Sequence, residues 1–118
     1  MSGIIKNDKG NIILIGMPAS GKSTVGVILA KILGKSFIDT DLLIQNKAGT
    51  RLQDIIELKG IDSFLKYEEE TLLGLNVKDT VISTGGSAVY SAAAMKHLSE
   101  GGEVKHLQTW KKENSKED

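Results

Sequence analysis

The sequence contains no cysteine, which excludes disulfide bridges, iron–sulfur clusters and zinc sites built on thiolates. Its two histidines, His97 and His106, are too few for a metal site built on imidazole ligands. Fifteen basic and fifteen acidic residues cancel, so we expect no nucleic-acid partner held by overall charge. Only one of the fifteen basic residues, Arg51, is an arginine.

Long hydrophobic runs are absent as well. The longest apolar stretch, residues 12–17, has six residues, too few for a membrane span or an ordinary signal peptide, which predicts a cytoplasmic protein with no membrane partner. Leu, Ile, Val and Phe still supply 34 of 118 residues, well above the level typical of disordered chains. A chain of this length predicts one domain, over residues 1–110, followed by a polar tail at 111–118.

The pattern of short apolar runs and amphipathic stretches predicts an α/β fold. Strands are predicted at residues 11–15, 36–39, 80–84 and 103–109, and helices at 22–33, 42–47, from Thr50, from Asp62 to about Leu73, and after Ser91. Thr50 with Gln53 forms a predicted capping box, and Asp62 and Ser91 are predicted N-caps. The first helix carries one apolar stripe, made of Val25, Ile28, Leu29, Ile32 and Leu33. Alternating strands and helices indicate a parallel sheet covered by helices on both faces.

The segment GMPASGKS at residues 16–23 matches the phosphate-loop pattern G-x-x-x-x-G-K-[ST]. Such a loop turns successive backbone N–H groups toward one anion, while its lysine, Lys22, reaches the β- and γ-phosphates and its serine, Ser23, can ligate Mg²⁺. The predicted nucleotide-binding residues are Gly16, Ala19, Ser20, Gly21, Lys22, Ser23 and Thr24. The alternative is a glycine-rich turn without a ligand. The guanine-reading element Asn-Lys-x-Asp of GTPases is absent, because its nearest match at 46–49 ends in Gly49.

Three acidic residues are candidates for a site beside this loop. Asp39 and Asp41 follow the second predicted strand, and in an extended chain residues two apart point the same way, toward the ligand crevice of a parallel sheet. The alternative makes Asp41 a helix N-cap. Glu68 lies within an apolar stripe at helical spacing, formed by Ile61, Phe64, Leu65, Leu72 and Leu75. It is therefore predicted to be paired or to face a cavity. The alternative for Glu68 is a side chain at the edge of the stripe that reaches solvent.

Five segments together resemble the shikimate kinase family: GMPASGKSTVG at 16–26, FIDTD at 37–41, AGTRLQDII at 48–56, residues 60–68 and VISTGG at 81–86. The resemblance covers roughly residues 11–102. It implies a three-layer phosphate-loop kinase fold with strand order 2-3-1-4-5. It also implies phosphate transfer from MgATP to the 3-hydroxyl of shikimate, a step of aromatic amino acid biosynthesis.

The same resemblance implies a role for each candidate residue. Asp39 matches the acid that holds Mg²⁺ through water. Asp41 matches the acid that binds the shikimate hydroxyls and takes the proton. Asp41 and Lys22 are the two predicted catalytic residues. Gly85 and Gly86 match backbone that contacts the substrate. Glu68 matches a substrate-site acid that orients arginines.

The sequence departs from the family at three places. Leu65 stands where the family motif Gly-x-x-x-Phe-Arg has its arginine, Ser87 replaces the third glycine of Gly-Gly-Gly, and no arginine follows Gly102. From these departures we expect a sheet of about four strands without the fifth, and slow transfer of phosphate to shikimate. We expect Glu68 to be left with Lys66, Lys22 or water as its partner. We also expect the protein to be a monomer. Two alternatives stay open: a kinase for another small hydroxylated metabolite, and a noncatalytic nucleotide-binding module.

Overall fold

The computed structural model describes residues 9–15 and 22–106, apart from the side chains of Lys22, Ser23 and His106. These residues form one parallel sheet from β1 (Asn11–Ile15), β2 (Ser36–Asp39), β3 (Thr80–Ser83) and β4 (Gly102–His106). The strand order β2-β3-β1-β4 confirms the predicted α/β fold and the 2-3-1-4 part of the predicted order. The end of the fourth predicted strand, 107–109, and the predicted tail, 111–118, lie outside the described residues.

Five α-helices and one 3₁₀ helix occur within the described residues. They are α1 (Lys22–Leu33), α2 (Thr40–Ala48), α3 (Leu52–Lys59), α4 (Ile61–Leu73), the 3₁₀ helix (Gly86–Tyr90) and α5 (Ala92–Glu100). The 3₁₀ helix was absent from the sequence prediction. In the part of the chain that the structure covers, no helix is both long enough and apolar enough to cross a membrane.

The sheet is the middle of three layers. Because side chains alternate along a strand, Ile13 and Ile15 of β1 pack on one face against α4 and α5, while Leu14 packs on the other face against α1. A third apolar cluster joins α2, α3 and α4 away from the sheet, through Ile44, Ile55 and Phe64. This helical cluster places α2 and α4 beside the carboxyl ends of the strands.

Helix α1 contacts the sheet through small residues rather than through the whole predicted apolar stripe. Val25 and Leu29 do pack on the sheet, but Ile28, Ile32 and Leu33 are exposed. From Thr24 to Leu33, the part of α1 whose burial is described, the buried residues are Gly26 and Ala30. A Cβ atom at Gly26 would lie only 2.5 Å from Cε1 of Phe37. The stripe prediction is therefore wrong in part, because close approach to the sheet needs small side chains where the helix makes contact.

The predicted capping box of Thr50 and Gln53 does not form. The amide of Leu52, the first residue of α3, donates instead to Oε1 of Gln45 at 3.2 Å, so the cap comes from the preceding helix α2. Gly49 ends α2 in the left-handed conformation (φ 74°), and the short turn that follows brings the two helices close enough for this contact.

The two other predicted caps have different outcomes. Helix α4 begins at Ile61 with Gly60 at the N-cap, so Asp62 lies in the first turn and the prediction that it caps the helix is wrong. Ser91 caps α5 as predicted, because its hydroxyl accepts a hydrogen bond from the amide of Ala94 at 3.1 Å.

Candidate active site

The candidate site lies at the carboxyl edge of the sheet, where β1, β2 and β3 end at Ile15, Asp39 and Ser83. Four of the predicted nucleotide-binding residues, Gly16, Ala19, Ser20 and Gly21, lie outside the described residues. The backbone of Lys22 and Ser23 forms the first turn of α1, and Thr24 is exposed in the same turn. The phosphate-loop sequence therefore connects the end of the central strand β1 to the start of a helix, as its pattern predicts.

Asp39 ends β2 and caps the helix that follows. Its Oδ1 accepts hydrogen bonds from the amides of Asp41 at 2.9 Å and Leu42 at 3.4 Å, which starts α2 at Thr40. The prediction that the extended chain continues to Asp41 is wrong for this reason, and so is the alternative that Asp41 is the cap. Asp41 lies in the first turn of α2 and does not alternate with Asp39 along a strand.

Two threonines tie the ends of neighbouring strands together at this edge. The buried hydroxyl of Thr40 donates to the carbonyl of Ser83 at 3.2 Å, linking the start of α2 to β3. Thr84 donates both its amide and its hydroxyl to the carbonyl of Leu14, at 3.0 Å each. The segment that follows β3 is thereby held against the end of β1, and the next residue, Gly85, is buried at that point.

Asp41, Glu68 and Gly85 meet at this edge, although they come from α2, α4 and the loop after β3. A Cβ atom at Gly85 would lie 2.7 Å from Oδ1 of Asp41 and 3.3 Å from Oε2 of Glu68. The glycine hydrogen therefore leaves room for both carboxyl groups beside the backbone. Gly86, the next residue, is half-buried and begins the 3₁₀ helix.

The Glu68 side chain is buried, with 2% of the residue exposed, which confirms that it faces the interior or a cavity rather than solvent. Its Oε1 accepts a hydrogen bond from the hydroxyl of Ser87 at 2.8 Å. We had expected Lys66, Lys22 or water beside Glu68, and Ser87 was not among these. Lys66 is exposed, and the side chain of Lys22 lies outside the described part of the structure. Among the residues that the structure covers, Oε2 of Glu68 has no hydrogen-bond partner.

Burial raises the pKa of Glu68 above its ordinary value. The hydrogen bond from Ser87 acts in the opposite direction, because it stabilises the carboxylate, and the negative charge of Asp41 raises the pKa further. A carboxyl group that holds its proton more tightly than usual, next to a second acid in a crevice, is typical of functional sites.

A small cavity of about 170 Å³ adjoins Glu68 and Ser87 between α4, the 3₁₀ helix and the start of α5. Its other walls are Leu65, Lys66, Glu69, Tyr90 and Ser91. Ser87 is the residue that the sequence interpretation passed over as a binding element. The signal was its position directly after Gly85 and Gly86, where a hydroxyl replaces a bare backbone.

Comparison with known proteins identifies the family. The family model described as shikimate kinase matches residues 18–114. Shikimate kinase of Mannheimia succiniciproducens is 43% identical over 103 residues, which cover 86% of this chain and 59% of that protein. Shikimate kinase of Moorella thermoacetica is 41% identical over 100 residues, covering 84% of this chain and 58% of that protein. This chain therefore spans less than two thirds of the length of these curated relatives.

Solved structures give the same answer. Shikimate kinase from Acinetobacter baumannii in complex with shikimate superposes with a TM-score of 0.79 and 37% identity, over 83% of this chain and 55% of that one. Shikimate kinase from Aquifex aeolicus superposes with a TM-score of 0.74 and 38% identity, over 81% and 58% respectively. From the family model, the sequence identities and the structural superpositions, we conclude that the chain belongs to the shikimate kinase family.

Proposed function

We propose that this chain transfers a phosphoryl group from ATP to a hydroxyl of shikimate. The observation that carries the proposal is the meeting of Asp41, Glu68 and Gly85 at the carboxyl edge of the sheet, beside the strand that leads into the phosphate-loop sequence. Ligands of open parallel sheets bind at this edge. The shikimate kinases that match this chain, one of them solved with shikimate, suggest the acceptor.

ATP binds along the phosphate-loop sequence in this proposal, through Gly16, Ala19, Ser20, Gly21, Lys22, Ser23 and Thr24. Helix α1 begins at Lys22, directly after the loop, so its first turn offers free N–H groups and the positive end of the helix dipole. The lysine adds a positive charge for the β- and γ-phosphates.

Ser23 and Asp39 would hold Mg²⁺, either directly or through water. No group of three or more His, Cys, Asp or Glu side chains that could hold a metal occurs among the described residues. Mg²⁺ does not need such a group, because proteins bind it through one or two carboxylates completed by water and substrate phosphates; the carboxylate of Asp39 and the hydroxyl of Ser23 are donors of the required kind. When bound, the ion supplies positive charge to the phosphates.

The acceptor side of the site belongs to Asp41, Glu68, Gly85 and Gly86. Asp41 holds the acceptor hydroxyl and takes its proton, a role that requires a carboxylate within hydrogen-bond reach. The backbone at Gly85 and Gly86 borders the same space, because no side chain separates it from the two carboxyl groups. The tie from Thr84 to β1 keeps this backbone in place.

One observation favours a different small hydroxylated metabolite as the acceptor. Half-buried Leu65 lines the cavity beside Glu68, where the sequence resemblance places an arginine that grips the shikimate carboxylate. Leucine offers no charge to a carboxylate, and Lys66 cannot make the planar two-pronged contact of an arginine.

ADP release in a coupled assay tests the proposal, with the phosphorylated product identified by ³¹P NMR. Shikimate is compared with uncharged cyclic polyols, for the wild type, for Asp41→Asn and for the control Asp62→Asn, which alters an exposed acid on α4. We expect shikimate-dependent ADP release that Asp41→Asn abolishes and Asp62→Asn retains. Release with polyols alone identifies the second acceptor class, and nucleotide binding without any release identifies a noncatalytic module.

A further inference from the structure

Strand β4 (Gly102–His106) lies at the edge of the described sheet, because its only partner strand there is β1. The amide of Asn11 donates to the carbonyl of Gly101 at 3.2 Å, which fixes the side to which each residue of β4 points its backbone groups. Since these groups alternate from side to side along a strand, every second residue of β4 directs its amide and carbonyl away from β1. These residues are Gly102, Val104 and His106. Such an edge is a ready template for a further strand.

The side chains of β4 place opposite charges on either side of a valine. Glu103 and Lys105 lie on one face of the strand, where Nζ of Lys105 lies 3.6 Å from Oε2 of Glu103, and both side chains reach solvent. Val104 lies on the other face, half-buried against the apolar cluster that contains Ile13 and Ile15. Reversing the direction of the strand about Val104 therefore exchanges an acid for a base.

This pattern complements itself when a second copy of β4 runs in the opposite direction. With a two-fold axis at Val104, the two valines face each other, Gly102 faces His106, and these outward residues exchange amide-to-carbonyl hydrogen bonds. Glu103 then faces Lys105 of the other copy on each side of the axis, in the closer pairs that share no backbone hydrogen bond. An axis at either charged residue would place like charges directly opposite each other, which destabilises a sheet. The charges therefore select the axis at Val104.

We propose that two copies of this chain form a dimer by antiparallel pairing of their β4 strands about an axis at Val104. The two four-stranded sheets then become one, and the contact between the valines continues the apolar cluster across the axis. Because the paired strands run in opposite directions, the two candidate active sites lie at opposite edges of the joined sheet. The inference goes beyond the proposed function and replaces the expectation of a monomer. The contact is one short strand wide, so we expect a reversible dimer rather than a permanent one.

Sedimentation velocity of the whole chain, from about 10 µM to about 1 mM, tests the proposal. The proteins compared are the wild type, Glu103→Lys, Lys105→Glu and the control Lys47→Glu, which reverses the charge of an exposed residue on α2. We expect a wild-type dimer whose fraction rises with concentration. Each reversal on β4 should raise the dissociation constant about tenfold or more, because two attractive pairs become repulsive, whereas Lys47→Glu changes nothing.

An equimolar mixture of Glu103→Lys and Lys105→Glu separates charge pairing from damage to the fold. In the mixed dimer one strand carries two bases and the other carries two acids, so every opposed pair attracts again and dimerisation should recover.

Oxidation of Val104→Cys reports the register, since the chain has no cysteine of its own. Residues opposed in a hydrogen-bonded pair have Cα atoms about 5.5 Å apart, a distance that a disulfide spans, so two copies should become linked. The control Lys47→Cys should stay unlinked. A wild type that stays monomeric over the whole concentration range overturns the proposal. So does a dimer that neither reversal weakens, or one that the mixture fails to restore.

Discussion

Replacing Glu68 by glutamine is expected to stabilise the fold at neutral and alkaline pH. Burial raises the pKa of this carboxyl group, the Ser87 hydrogen bond offsets only part of that effect, and the charge of Asp41 adds to it. Glutamine has nearly the same shape and keeps an oxygen that accepts from Ser87, but it carries no charge. The change therefore removes a buried charge next to another acid while it retains the existing hydrogen bond.

The sign of the pH dependence follows from where the proton is held. Below the ordinary value of 4.5, Glu68 is protonated in both the folded and the unfolded chain, so ionisation contributes nothing to stability. Above 4.5 the unfolded chain releases the proton first, and the wild type loses about 1.4 kcal/mol for each pH unit until the pH passes the raised pKa of the folded protein. Above that pKa the loss is constant.

The size of the effect is set by the burial of the side chain. A buried polar group without a partner costs on the order of 1–3 kcal/mol when it is neutral and more when it is charged, so we expect Glu68→Gln, which keeps the polar group and removes the charge, to raise the free energy of unfolding at pH 8 by about 1–3 kcal/mol. For a domain of this length the gain corresponds to a rise in Tm of several degrees. At pH 4 the two proteins should differ little.

Urea unfolding followed by circular dichroism, from pH 4 to pH 8, measures this difference. Glu70→Gln is the matched control, because Glu70 is exposed on the same helix and its substitution should leave stability nearly unchanged at every pH. A Glu68→Gln protein that is less stable than the wild type at pH 8 would refute the reasoning. So would a difference between the two that is the same at every pH.

Three further predictions concern the nucleotide, the paired acids and the packing of α1. Lys22→Ala should remove most of the affinity for MgADP in calorimetry, and equal binding by variant and wild type would contradict the nucleotide site. Asp41→Asn should leave MgADP binding nearly intact, whereas Asp39→Asn should raise the Mg²⁺ concentration needed for binding; a reversed result would exchange their roles. Gly26→Ala should destabilise the fold by roughly 1–3 kcal/mol in urea unfolding, because the added Cβ would lie 2.5 Å from the ring of Phe37; unchanged stability would show that the ring moves aside.

The strands could be predicted from the sequence because their signal is local. Asn11–Ile15 and Ser36–Asp39 have the predicted bounds, since short apolar runs that end at Gly16 or at an acid leave few other interpretations. The strand order came from the family resemblance and not from periodicity.

The starts of the helices were harder to predict, because the side chain that accepts a hydrogen bond from the amides of a first turn can belong to another element. Gln45, on the preceding helix, caps α3 in place of Thr50, and no feature of the sequence near Thr50 indicates this. At the site, the expectation that Asp39 and Asp41 point the same way along an extended chain was wrong. The side chain of Asp39 accepts a hydrogen bond from the backbone amide of Asp41, so the helix starts two residues sooner than predicted.

Burial of Glu68 could be predicted because it interrupts an apolar stripe, but its partner could not. Ser87 is 19 residues away in the chain, on an unpredicted 3₁₀ helix, and only the packing of α4 against the segment after β3 brings the two together. Spacing rules describe residues within one element, so a contact between elements of this kind requires the tertiary structure.

The strand order has a consequence for the growing chain on the ribosome. β1 pairs only with β3 and β4 within the described sheet, and β2 pairs only with β3, so every ladder waits for residues 80–83 or later. At about 5–20 residues per second, several seconds separate synthesis of β1 from that of its first partner. During this interval the helices can form locally, while the apolar strand Asn11–Ile15 has no neighbouring strand to cover its backbone. A translational pause before residue 80 would prolong the interval in which this segment is exposed to chaperones and to aggregation.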